Sequence, residues 1–559
     1  MFDDPAVTAK DGDSSLGEDS VLLPNVEPSM GPARRRRKSR RVDRIRGGIV
    51  IGLLGIVAIG FFALPVAEDI RNDTIEFLIP DAIDDGGDDE GNEEQVTAEV
   101  ASVIEPQIDF DTSVFVDPRM VGVSPPQGFD GLLTFRGSPT RTFYGRGPVP
   151  ADPEVAWRFP QEGEPGLCRS SSVGGVTRGW CGTGWTGQPT LFRLDGRLWT
   201  IFGALDGAVH FLDAETGEPL LESFQTNDII KGSVTVDPDG FPLVYSGSRD
   251  NIYRVISFDQ GEPVELWGLD SESVSPRKWN NDWDGAGLVL DDWLFIGGEN
   301  SQIHVVKLNR SFDEDGFATV DPELVFNAPG WDDELINAVG DNVSIESSVA
   351  VSGDTLYFAN SGGLVQGWDL ASLRSGEDPT RVFRYWVGDD VDATLVIDEQ
   401  GMLYVASEFE RGNERSRTLG QLIKLDPSKE GEDALVWSVQ ENQGLNTGIW
   451  GTPALHDGAV IFGSQGGQFR AVSAESGDDL WQIDGLGFHL WQSPVVVDDV
   501  LIMGDCFGTL RGYDVTNIKV EPPELWALRL DEACIESTPA VWEGTIVVGT
   551  RSGGVYGIR

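Results

Sequence analysis

Eight positions in this 559-residue chain combine ligand-holding residue types with a regular place in a repeat. They are Thr186, Lys231, Asp284, Glu346, Asp392, Trp450, Trp491 and Glu536. Each lies two residues before a short apolar segment, so all eight are expected to ring one mouth of the channel those segments enclose. The four carboxylates can hold a hard cation through oxygen ligands. The two tryptophans can stack on a sugar or a flat ring, or attract a cationic group. A plainer reading stands beside this one. Acids are abundant in a chain of net charge −51, and Trp450 and Trp491 can pack against Trp185, Trp279 and Trp283.

Other chemistry is sparse. The four histidines, His210, His304, His456 and His489, fall in or beside apolar strands and read as structural. No Ser/His/Asp arrangement is visible. There is no CxxC and no CxxCH, so zinc ribbons, thioredoxin-like redox sites and c-type haem lack their signatures. No metal ligand set is assigned. Phosphate binding through a general basic surface is excluded, because acids far outnumber Lys and Arg. The many glycines sit in turns rather than before helices, which argues against a nucleotide site.

The positioning elements repeat. TPALHDGAVIFGSQGGQFRAVSAESGDDLW (452–481), SPVVVDDVLIMGDCFGTLRGYD (493–514) and TPAVWEGTIVVGTRSGGVYGIR (538–559) share one pattern. It reads strand, tight turn, apolar strand, Gly-rich turn, strand, often with a fourth strand carrying Trp. Weaker copies start at 188, 233, 286, 348 and 394, giving eight starts spaced by about fifty residues. Repeats of this length and pattern predict an all-β fold, an eight-bladed β-propeller over 129–559. The last copy holds only three strands. PEVAWRF (153–159) supplies the fourth, with Trp157 standing where other blades have Trp267, Trp437, Trp481 and Trp526.

Before the propeller, three segments are expected. Residues 1–46 read as a disordered cytoplasmic tail, ending in the basic block RRRRKSRRVDRIR. Residues 47–67 carry no charge over 21 residues and read as a single transmembrane helix, with the basic block fixing the tail inside. The stretch is long for a signal peptide, the only cleavage-like point places Pro65 three residues before the cut, and no lipoprotein Cys follows. Residues 68–128 read as an acidic extracytoplasmic linker.

The repeats resemble the PQQ-like β-propeller family. The resemblance rests on Ser493-Pro494, on Asp206-Gly207 with Asp213-Ala214-Glu215-Thr216-Gly217, on Ala471, Ser476-Gly477 and Trp481, and on the lead-in LLTFRGSPTRTFYGRGP (132–148). It implies either a quinoprotein dehydrogenase, whose propeller mouth holds PQQ and calcium, or a scaffold of the non-enzymatic BamB-like branch. The dehydrogenases' adjacent cysteine pair is missing here, and a membrane anchor replaces the lipoprotein anchor of BamB. The reading is therefore a membrane-anchored, extracytoplasmic binding or scaffolding module of the cell envelope, with no cofactor. Its partners would be envelope proteins or glycans. The alternatives are a PQQ- and calcium-dependent oxidoreductase and an envelope glycan-binding module.

An extracytoplasmic location permits disulfides, and four cysteines allow three pairings. Cys168 and Cys181 share the loop before the first blade. Cys506 lies in the second-to-third-strand turn of blade 7, and Cys534 in the loop leaving that blade on the same face. Cys168–Cys181 and Cys506–Cys534 are the expected bridges.

Overall fold

The computed structural model describes residues 110–173, 175–184, 187–487 and 489–559. The tail, the expected membrane span, the linker up to residue 109, Trp185 and Thr186 lie outside them. Among the described residues no helix is long and apolar enough to cross a membrane.

Eight antiparallel four-stranded sheets follow one another as blades, and their innermost strands match the eight starts read from the sequence. They are Leu191–Leu194, Thr235–Val236, Leu288–Leu290, Ala350–Ser352, Val396–Ile397, Ala454–His456, Val495–Val497 and Ala540–Trp542. Blade 8 takes its outer strand from Val155–Phe159, which pairs antiparallel with Val555–Ile558. The two ends of the propeller sequence therefore meet in one sheet, and the ring closes without a free blade edge.

The repeat residues have identifiable jobs. Ser233, Ser348, Thr394, Thr452 and Ser493 each open an inner strand. Their hydroxyls accept the backbone N–H of Gln188, Ala286, Ser348, Thr394 and Thr452 on the preceding blade, at 2.8–3.0 Å. Each is a polar stitch between blades in the buried interior. The tryptophans stitch the outside. Trp157, Trp437 and Trp481 donate Nε1–H to the carbonyls of Ala214, Ala474 and Ile518 on the next blade. Gly217 lies under the Trp157 ring, where a Cβ would come within 2.6 Å of it. The remaining cohesion is hydrophobic: side chains of successive blades, such as Val209, Phe211, Val244 and Ile256, interdigitate between the sheets.

Residues 129–150 fill the hub. Asp130–Leu132 pairs with the inner strand of blade 1, and Gly145–Arg146 with that of blade 8. The carbonyls of Leu133, Pro139 and Thr140 accept from Val236, Val351 and Ile397 of blades 2, 4 and 5. The fully buried Arg136 guanidinium donates to Thr452 and Pro453 of blade 6 and Pro494 of blade 7, at 2.9–3.1 Å, and stacks on Tyr144. Arg141 is equally buried and donates to Val349 and Phe135 carbonyls. One segment thus holds seven of the eight blades.

The end of the stretch expected as linker also packs on the propeller. Val116 exchanges two backbone hydrogen bonds with Gly353, and Phe115 lies under the Arg374 guanidinium. Between this strap and blades 2 and 3 lies a cavity of about 230 Å³, mostly apolar and lined by Phe110, Phe115, Met120, Leu133, Val236 and Leu288.

Both expected disulfides are present, and no described cysteine is free. Cys168 and Cys181 are direct cross-strand partners in the hairpin formed by Cys168–Val173 and Val176–Cys181.

Candidate functional site

At the mouth where the inner strands begin, the expected ring separates into three groups. Lys231 belongs to the first. It is 2% exposed, and its Nζ lies 2.6 Å from Asp284, 2.7 Å from Glu299 and 3.2 Å from Asp282. Arg249 shares Asp282. Burial pulls the lysine pKa down, but the carboxylates of Asp284 and Glu299 more than offset this and hold the ammonium charged. These three carboxylates are the described group whose spacing suits a metal ion, and the lysine sits among them.

The second group lies on blades 4 and 5. Glu346, Asp390, Asp392, Glu408 and Glu410 form one electrostatically coupled set that also feels Asp284. Burial raises every one of their pKa values. Mutual repulsion adds to this: Asp390 is pushed up to about 6 and Glu410 to about 8, and the first group's Asp284 to about 7. Glu346 accepts from the hydroxyls of Ser344 and Ser361. Asp392 is 1% exposed, and neither of its oxygens has a hydrogen-bond partner among the described residues. Arg411 approaches Asp390 at 3.8 Å while its Nη2 donates to the carbonyls of Asn342 and Ser361.

The third group is aromatic. Trp450 and Trp491 stack on each other, with ring centroids 4.2 Å apart and planes 13° from parallel. Both are buried, and Nε1 of Trp450 meets the carboxamide of Gln465. They pack on each other rather than on Trp279 or Trp283; Trp283 sits apart between Tyr253 and His304. Glu536 joins none of these groups. It faces Arg551 at 3.3 Å. The guanidinium groups of Arg551 and Arg249 both lie over Trp180, on the hairpin closed by the first disulfide.

Sequence reading therefore finds Lys231, Asp284, Glu346 and Asp392 but misses Asp282, Glu299, Asp390, Glu408 and Glu410. A signal for two of these exists. Asp282 with Asp284, and Asp390 with Asp392, form D-x-D pairs entering inner strands, and a spacing of two in extended chain keeps both carboxylates on one side. Glu299, Glu408 and Glu410 come from the segments beyond the second strands of blades 3 and 5, Glu408 in the short strand Glu408–Phe409, and only the fold brings them in.

A Ser/His/Asp constellation also exists, unseen in the sequence. Ser223 Oγ lies 2.8 Å from His210 Nδ1, and His210 Nε2 lies 3.1 Å from Asp206. A bulge in the pairing of blade 1's outer strands creates it. The imidazole lies between the rings of Phe159 and Phe202, where the contacts lock blade 1 to the closing strand. His304 is fully buried, and burial lowers its pKa to about 4, so it is neutral core.

Eight such blades, stitched by Ser/Thr at the hub and by Trp outside, make an eight-bladed β-propeller whose repeats resemble the PQQ-like ones. Residues 419–559 match the family described as outer membrane protein assembly factor BamB. Two solved structures share the fold. Quinohemoprotein alcohol dehydrogenase from Comamonas testosteroni is 12% identical, with a TM-score of 0.50 over 79% of this chain and 81% of that one. The enzyme ADHIIG from Pseudomonas putida HK5 is 12% identical, with a TM-score of 0.51 over 78% and 80%. BamB from Moraxella catarrhalis aligns at 14% identity over 65% and 82%, with a TM-score of 0.33. No curated protein sequence matches the chain.

Proposed function

We propose that the chain is a membrane-anchored, extracytoplasmic propeller that acts as a binding or scaffolding module for partners of the cell envelope. The observation that carries this is how the mouth is used. Lys231 sits among the three converging carboxylates, and Trp450 and Trp491 cover each other's faces. The BamB description of the matched repeats supports a protein partner. The two disulfides suit an oxidising compartment, and the basic-then-apolar sequence at 34–67 suits an inside-to-outside anchor.

The quinoprotein alternative fits the residues poorly. PQQ is a tricarboxylate, and a chamber with carboxylates in excess repels it. The bridges join Cys168 to Cys181 and Cys506 to Cys534, so neither is the adjacent-cysteine bridge of the dehydrogenases. Trp450 and Trp491 stack on each other and are both buried, which weighs against the glycan reading.

Protease added to intact spheroplasts tests the topology: it should digest the propeller or the preceding linker and spare the tail. Photo-crosslinkers on blade loops should then capture envelope proteins. A protected propeller, or dye reduction by the purified chain with PQQ, calcium and an alcohol, would overturn the proposal.

A further inference from the structure

We infer that the acidic chamber over blades 4 and 5 is a receptor for an organic cation, an alkylammonium or guanidinium group. Its source is either a Lys or Arg side chain of a partner protein or a free polyamine. The inference rests on the binding-module reading and names what the module's mouth recognises.

Five carboxylates, those of Glu346, Asp390, Asp392, Glu408 and Glu410, share the chamber, with Arg411 at its edge. Asp392 is buried, and neither of its oxygens is hydrogen-bonded to a described residue; the fully buried Glu408 has only the side chain of Glu410 and the carboxamide of Gln465 beside it among the described residues. Buried carboxylates in folded proteins are paired, because desolvation without a partner costs several kcal/mol. These either take up protons or wait for a cation from outside.

Geometry selects the kind of cation. Among the described residues, only Asp282, Asp284 and Glu299 bring three carboxylate oxygens within 4.8 Å of one another. That ion-sized point already surrounds the Lys231 ammonium. The chamber acids are spread more widely, which suits a donor presenting several N–H groups over a few ångströms. The lysine next door shows the same chemistry in use, an ammonium held by three carboxylates.

Glu410 and Arg411 are the partly exposed members of this set, beside the short ribbon of Glu408–Phe409 and Thr447–Gly448.

Calorimetric titration of the full-length chain tests this, with spermidine, an Arg/Lys-rich decapeptide and calcium chloride as probes. At pH 7.5 at least one amine should bind one to one, and Asp392→Asn and Glu408→Gln should each weaken it tenfold or more. Glu262→Gln, in the exposed loop before the outer strand Val264–Asp270 of blade 2, should leave it unchanged. At pH 5 binding should weaken at least tenfold, because the chamber acids then hold protons of their own. A tighter peptide indicates a partner's side chain, and a tighter spermidine a free polyamine. Unfolding curves of the variants check the fold: removing a bare buried charge should leave stability equal or higher. Binding of neither amine, undiminished binding by both variants, or calcium displacing the amine at equal concentration would overturn the inference. Failure here with crosslinked partners still captured removes only the ligand assignment, whereas amine binding without any partner removes the scaffold reading.

Discussion

Replacing Lys231 by Met removes the ammonium from a buried trio of carboxylates while keeping the length of the side chain. In the native protein Lys231 and Arg249 face Asp282, Asp284 and Glu299, two cations against three anions. The variant leaves Arg249 with Asp282, and it strands Asp284 and Glu299 in a region of low dielectric. Breaking a buried pair by deleting one partner costs about 3–5 kcal/mol. The stranded groups can escape part of that cost by protonating. The loss should therefore be near its full size at pH 8 and clearly smaller at pH 5. Guanidinium chloride unfolding at the two pH values measures it, with the wild-type chain in parallel. Lys231→Met with Asp284→Asn should recover much of the loss, because neutralising Asp284 removes one stranded charge. An equal loss at both pH values, or a double variant no better than the single one, would refute the electrostatic account.

The wild-type chain should itself respond to pH. Burial and repulsion raise Asp390 to about 6, Asp284 to about 7 and Glu410 to about 8, so the native state holds protons that the unfolded chain has released. This contribution is fully present below about pH 4 and is lost as pH rises through those values. The denaturation midpoint should then fall from pH 5 to 8.5, and Asp390→Asn with Glu410→Gln should flatten the slope; an unaltered slope in that variant contradicts the assignment. Arg136→Met leaves the carbonyls of Thr452, Pro453 and Pro494 without their donor, at about 1–3 kcal/mol for each buried group. Equilibrium unfolding should show a loss larger than that from an exposed control such as Arg197→Met. Trp157→Ala should cost about 3–5 kcal/mol and speed proteolytic cleavage near residues 160–166, measured by time-resolved digestion, because it unlatches the closing strand from Ala214.

The propeller was legible because its information is local and repeated. Each blade writes its own strand alternation and turns, and the incomplete last copy pointed to Val155–Phe159 as the missing strand. The disulfides were legible because propeller loops alternate between two faces, which leaves few geometrically possible pairs. The site was legible only where it follows the repeat. Ring positions led to Lys231, Asp284, Glu346 and Asp392, but Glu299 and Glu408 arrive from the segments after the second strands, which differ from blade to blade. That Trp450 and Trp491 cover each other depends on their rotamers and on the blade spacing, and neither is written in residue order. The lead-in at 132–148 was recognisable as a pattern. Its threading through the hub was not, because Arg136 and Arg141 read as surface residues until their carbonyl partners on distant blades are known.

That threading changes how the molecule must assemble. A string of repeats that touch only their neighbours can fray from either end, with stability adding up unit by unit. Here residues 129–150 touch blades that never touch each other, so separate units share a common axle. The axle leaves the ribosome ahead of every blade, and it waits for strands made hundreds of residues later. Partial rings gain little from it, since Arg136 finds its acceptors only once blades 6 and 7 exist. Completion of the circle and seating of the axle become one event, and a chain interrupted anywhere within the propeller would be left as exposed, unclosed sheets.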